Sequence, residues 1–271
     1  MVRCSRFGPF MGMFMGMTLM AAVWGGSAWA DESEAAWDSI RPDVAGQRAI
    51  EDGAAMIDLV APKRAEDAAL VPVDVRIHMP DGDARTVRAI KLVIDENPAP
   101  LAATFQFGED GRRSFELSTR VRVNSYSYVR VIGEMSDGAL YMVKSYVKAA
   151  GGCSAPATKD PAEAKANLGE MRFRAFADTG RNEAQVQIRY PNYSGLQMDQ
   201  ITRFYTPAWF VQDLAVKQGE RLIFRMEGGI SISEDPTFRF SYRPNGEPVS
   251  VEARDTEGKT FRRSFPGGQG S

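Results

Sequence analysis

The sequence predicts an all-β protein: two immunoglobulin- or fibronectin-like β-sandwich domains joined by a loop and a short helix. Three observations carry this. Short β-branched runs alternate with period two, turn clusters separate them at regular spacing, and the rhythm breaks once, near Ala149, before resuming. A chain of 271 residues is enough for one large domain or two of about 100–120 each.

The first thirty residues stand apart. Arg3 and Arg6 precede an apolar stretch that ends in Ala28-Trp29-Ala30, the small-x-small pattern of a cleavable signal peptide cut after Ala30. A periplasmic protein is the expectation. Cys4 leaves with that segment, and so do two arginines. The remaining 31 Lys+Arg against 35 Asp+Glu give a charge of −4 and no basic block, which argues against nucleic acid and against membrane binding after signal cleavage.

Trp37, Ile40 and Val44 have helical spacing, interrupted at Pro42, and form a lead segment on the first domain. Within 31–148, "VDVRI", "TRVRV" and "YVRVI" alternate as half-buried strands, and about seven strands in roughly 100 residues make a sandwich. Residues 149–169 read as a linker. "AAGGCSAPATK" has little to bury, and "DPAEAKANLGE" is a helix with Asp160 as N-cap, Pro161 at its first position and Gly169 at its end. A second strand series fills 170–265, and the tail 266–271 is expected to be disordered.

Chemistry concentrates on Cys153, the one cysteine left after signal removal. In an exported protein it has no internal disulfide partner. Preceded by Gly151 and Gly152 in a loop, it reads as a covalent attachment point for a passenger, with the glycines supplying arm flexibility. An inert core thiol beside a plain flexible linker is the competing reading. One histidine, His78 at a strand end, is too few for a zinc or haem site or a Ser-His-Asp set, so no cofactor, no metal and no catalytic residue are expected. The aromatics Tyr190, Tyr193, Phe204, Tyr205, Trp209 and Phe210 are either core or a partner interface, with Tyr190, Tyr193, Tyr205 and Trp209 as interface candidates.

"LVPVDVRI", "IKLVIDENPAPLAATFQFG" and "GALYMVKSYVKAAGGC" resemble SoxY of bacterial sulfur-oxidising systems. "VQIRYPNYSGLQMDQITRFYTPAWFV" and "ISISEDPTFRFSYRP" resemble its partner SoxZ. The whole is similar to fused SoxYZ-like carriers associated with quinoprotein dehydrogenases. That resemblance implies a non-enzymatic carrier that holds a sulfur intermediate on Cys153. Its implied partners are periplasmic enzymes, either Sox-type or a quinoprotein dehydrogenase with its cytochrome. The sequence departs from the family at two places. Ser154 and Ala155 replace the two glycines that follow the SoxY cysteine and the chain runs on, while Tyr190 and Asn192 stand where SoxZ has a His-Pro-Met opening. The arm is then a protruding loop pinned at both ends, with a reach of about 20 Å.

Overall fold

A computed structural model of the chain describes residues 32–158, 161–176, 182–199 and 202–267. The signal segment with its cut site, Asp160 and the last four residues lie outside these.

Helix α1 (Glu32–Ala45) leads the chain. The first half then supplies β1 (Ile50–Asp52), β2 (Ile57–Val60), β3 (Val71–His78), β4 (Val87–Ile94), β5 (Leu101–Gln106), β6 (Ser114–Val121), β7 (Ser127–Met135) and β8 (Leu140–Val147). After α2 (Pro161–Ala166), the second half supplies β9 (Met171–Phe176), β10 (Glu183–Ile188), β11 (Val211–Gln218), β12 (Arg221–Gly228), β13 (Thr237–Ser241), β14 (Val249–Asp255) and β15 (Thr260–Phe265).

Period-two patterning decides the faces. Along β3, Val71, Val73, Val75 and Ile77 are buried while Pro72, Asp74, Arg76 and His78 are exposed, and β14 repeats the alternation. β7 departs from it, because α1 covers its second face. Trp37 and Val44 of the helix pack on Val93 and Ile132, and buried Arg130 makes paired bonds to Asp95 at 2.8–2.9 Å beneath the Trp37 ring. The helix runs through Pro42 and stops at Gly46, whose N–H bonds the Pro42 carbonyl at φ +63°.

The two sandwiches are not beads on a string. Their strands merge into a nine-stranded sheet, β1-β8-β7-β4-β5-β12-β11-β14-β15, facing a six-stranded one, β2-β3-β6-β13-β10-β9. The seam is two antiparallel pairs, β5–β12 with Phe105 opposite Met226, and β6–β13 with Leu117 opposite Phe240. Edges that would be exposed in separate domains are consumed there. Between the sheets, Phe105 and Phe115 of the first half meet Phe224 and Phe238 of the second with ring centroids 5.9–6.1 Å apart. One core therefore spans both halves. Backbone pairing across the seam thus joins the two sandwiches in addition to the loop and short helix.

Candidate functional site: the Cys153 strap

The segment 149–158 leaves β8 and crosses from the first half to the second. Its residues are small, so its backbone comes close to its supports. Gly151 N–H donates to the Asn124 carbonyl at 2.8 Å, and Gly152 N–H to the Val123 carbonyl at 3.0 Å. A Cβ on Gly152 would lie 2.0 Å from the Ala68 carbonyl oxygen, so this glycine serves close approach, not flexibility. Gly151 instead supplies φ +80° for the turn that closes with Ser154 N–H on its carbonyl at 3.1 Å.

The second half grips the other side. Ser194 Oγ donates to the Cys153 carbonyl, Gln197 Nε2 to the Ala155 carbonyl at 2.9 Å, and Glu234 accepts from the backbone N–H of Thr158 at 3.1 Å. Cys153 is accordingly 0% exposed. The expectation of a solvent-accessible thiol on a protruding, flexible loop is corrected: polar backbone anchors from both halves hold the strap down, an interaction that apolar periodicity does not reveal.

Burial pushes the thiol up to about 11, and the neighbouring Arg122 pulls it partly back. Arg122 follows β6 and is 1% exposed. Its Nη1 donates to the Gly152 carbonyl and its Nη2 to the Asn192 carbonyl, each at 3.3 Å, while its Nε has no partner. Asn192 sits at φ +44° with its side chain bonded to Val211 N–H and the Ile232 carbonyl. Asn97 knots the floor, donating to the Arg122 carbonyl at 2.7 Å and to Ser231 Oγ at 2.9 Å while accepting from Asn124 N–H at 2.8 Å.

The aromatics divide. Tyr190 is core, 1% exposed, and cannot offer an interface; its hydroxyl donates to Asp255 at 2.7 Å, beside Trp209 Nε1 at 3.3 Å from the same oxygen. Tyr193 and Trp209 are half-buried and face each other across a β-bridge. Tyr205 and Phe204, 60% and 78% exposed, are on the same excursion as Ser194 and Gln197. Arg122, Asn97, Asn192, Ser194 and Gln197 are the site residues that pattern reasoning missed. Alternation in "TRVRV" points Arg122 to the wet face, and only the "ENPAPLA" run within the SoxY-like stretch hints at Asn97.

At the far end of β6, a cleft of about 550 Å³ is lined by Arg112, Arg113, Glu116, Arg221 and Arg243 and carries no thiol. Among the described residues, no group of three or more His, Cys, Asp or Glu side chains is placed to hold a metal, and no helix is long and apolar enough to cross a membrane.

Comparison with known proteins gives two family matches in tandem. The model of the sulfur oxidation protein SoxY matches residues 41–153 and ends on Cys153, while that of the sulphur oxidation protein SoxZ matches residues 171–266. Among solved structures, the sulfur carrier protein SoxY from Chlorobium limicola f thiosulfatophilum is 27% identical over 43% of this chain and 97% of its own, with a TM-score of 0.36. A superoxide reductase (neelaredoxin) from Ignicoccus hospitalis is 16% identical over 40% of this chain and 91% of its own, with a TM-score of 0.29. No curated protein sequence matches. With both family models matched in tandem on one continuous pair of sheets, the chain belongs to the SoxY and SoxZ families as a single fused SoxYZ-like protein.

Proposed function

We propose that this protein is a periplasmic sulfur carrier, not a catalyst, which bears a sulfur intermediate covalently on Cys153 and hands it to Sox-type enzymes or to a quinoprotein dehydrogenase system. The observation that carries the reading is the place of the thiol. It is the last residue of the SoxY match, on a strap of small residues held chiefly by hydrogen bonds to its backbone. Each such bond contributes about 1 kcal/mol net, so the strap can lift without unfolding either sandwich. Lifted, the thiol titrates near an ordinary cysteine value and serves as a nucleophile. Closed, it is protonated and shielded.

Intact-mass and peptide mapping of protein taken from cells using reduced sulfur is the test. A reducible added mass on the Cys153 peptide is expected. Free thiol under every growth condition overturns the carrier reading.

The buried thiol gives a second reading some weight: a non-covalent assembly module in which Cys153 is incidental. A Cys153→Ser strain separates the two. Loss of sulfur-dependent growth equal to that of a full deletion supports the carrier, and unimpaired growth supports the module.

A further inference from the structure

Arg122 is a buried cation without a counter-ion. Among the described residues, no carboxylate lies within 4 Å of it, although buried Arg130 has Asp95 and exposed arginines such as Arg262 have partners too. Its contacts are two carbonyls at 3.3 Å, long for charged donors, and an Nε with nothing to bond. Glu234 and Asp67 act on it only from beyond contact distance: Glu234 accepts from the backbone N–H and hydroxyl of Thr158, and Asp67 is exposed with its carboxylate on Ala69 N–H. Leaving a guanidinium so is costly, because an uncompensated buried charge loses its hydration and recovers little. Among the described residues, no anion pairs with Arg122 directly.

We propose that Arg122 is the counter-charge for an anionic adduct on Cys153, so that the closed strap binds the loaded, negatively charged form more firmly than the bare thiol. This deepens the carrier reading and rests on it for the identity of the cargo. The side chain touches the carbonyl of Gly152, the residue before the cysteine, so negative charge placed on the Cys153 sulfur would lie in the guanidinium's field. Close packing favours the smallest anionic adduct, a persulfide, which adds one atom. It forms without an oxidant. The Cys153 thiolate attacks the outer sulfur of a low-molecular-weight persulfide RSSH, the new S–S bond replaces the old one, RSH leaves with the proton, and Cys153 keeps the terminal S⁻. Loading thus supplies the missing charge, and the strap closes more firmly on cargo than on thiol.

A charge mimic tests this independently of any sulfur chemistry. In the full chain, Cys153→Asp and Cys153→Asn are compared by urea unfolding, each with Arg122 intact, with Arg122→Lys and with Arg122→Met. Asp is expected to be at least as stable as Asn when residue 122 is cationic. With Arg122→Met, Asp is expected to fall at least tenfold behind Asn in folding equilibrium constant. Methionine keeps much of the side-chain volume, and its effect on folding cancels in the Asp-to-Asn ratio. Equal Asp-to-Asn ratios in all three backgrounds overturn the proposal. Treatment of the wild-type chain with an organic persulfide is the companion arm. If the mimic couples to Arg122 but Cys153 takes up no sulfur, the anion site stands and the carrier reading falls. If sulfur loads without coupling, the carrier stands and the anion site falls.

Discussion

The side-chain amide of Asn97 donates to the backbone carbonyl of Arg122 at 2.7 Å, joining the "ENPAPLA" turn to the segment beneath the strap. The same amide reaches Ser231 of the second half, and its oxygen receives Asn124 N–H. Asn97 is 4% exposed. Asn97→Ala leaves the buried Arg122 carbonyl and the part-buried Asn124 N–H short of a partner, at about 1–3 kcal/mol each when unsatisfied. A loss of about 2–4 kcal/mol is expected, read as a lower urea midpoint with an unchanged slope.

The raised Cys153 pKa makes a linkage prediction. Below pH 9.0, the unperturbed value, the thiol is protonated in both folded and unfolded chains and pH has no effect through it. Between there and about 11 the unfolded chain releases its proton and the folded chain does not, so folding loses stability as pH rises. At 1.36 kcal/mol per pH unit the loss attributable to this group is about 2–3 kcal/mol by pH 11. Cys153→Ala should flatten that part of the profile. Identical stability-versus-pH curves for the two proteins between pH 9 and 11 would contradict the buried, protonated thiol.

Strand faces were legible in the sequence because a sheet with one wet side forces alternation, as in β3 and β14. β7 was misread for the same reason: its outer face is covered by α1, and Arg130 is buried by an ion pair that periodicity cannot anticipate. The seam between halves was invisible, since β5, β6, β12 and β13 look like ordinary strands whether or not another strand lies alongside. Cys153 was legible as the chemically distinct residue, but its environment was not. The strap is held through its backbone, and Gly152 in "GGC" marks contact with the Ala68 carbonyl where sequence reasoning reads freedom.

The latch should be separable from the fold. Ser194 and Gln197 hold carbonyls on the strap from an excursion outside the named strands, and losing one hydrogen bond worth about 1 kcal/mol shifts a local opening equilibrium roughly fivefold. Ser194→Ala or Gln197→Ala is therefore expected to raise the native-state alkylation rate of Cys153 about fivefold, and the pair about 25-fold, when reclosing outpaces the reagent. Stopped alkylation followed by mass analysis gives these rates, and urea midpoints taken alongside report global stability. Rates that rise only in step with global unfolding would mean that the thiol is reached by unfolding and not by lifting of the strap.

The two glycines before the cysteine make opposite predictions despite being neighbours. Gly151 has φ +80° but open space around it, with Ser154 Oγ at 3.9 Å the one heavy atom of the described residues within 4 Å of an added Cβ, so Gly151→Ala costs the left-handed backbone strain of about 1–2 kcal/mol. At Gly152 an added Cβ would stand 2.0 Å from the Ala68 carbonyl oxygen and 2.7 Å from that of Val123. Both obstacles are backbone inside the first sandwich, and Ala68 is also the acceptor for Val123 N–H, so neither yields cheaply. The strap is the softer element and has to leave its seat. Gly152→Ala is therefore expected to expose Cys153 to alkylation at close to the rate of a free thiol, with the sandwich still folded by circular dichroism. Gly151→Ala should leave the thiol largely protected. If Gly152→Ala keeps the thiol as slow as wild type, Gly152 does not sit where the close approach puts it.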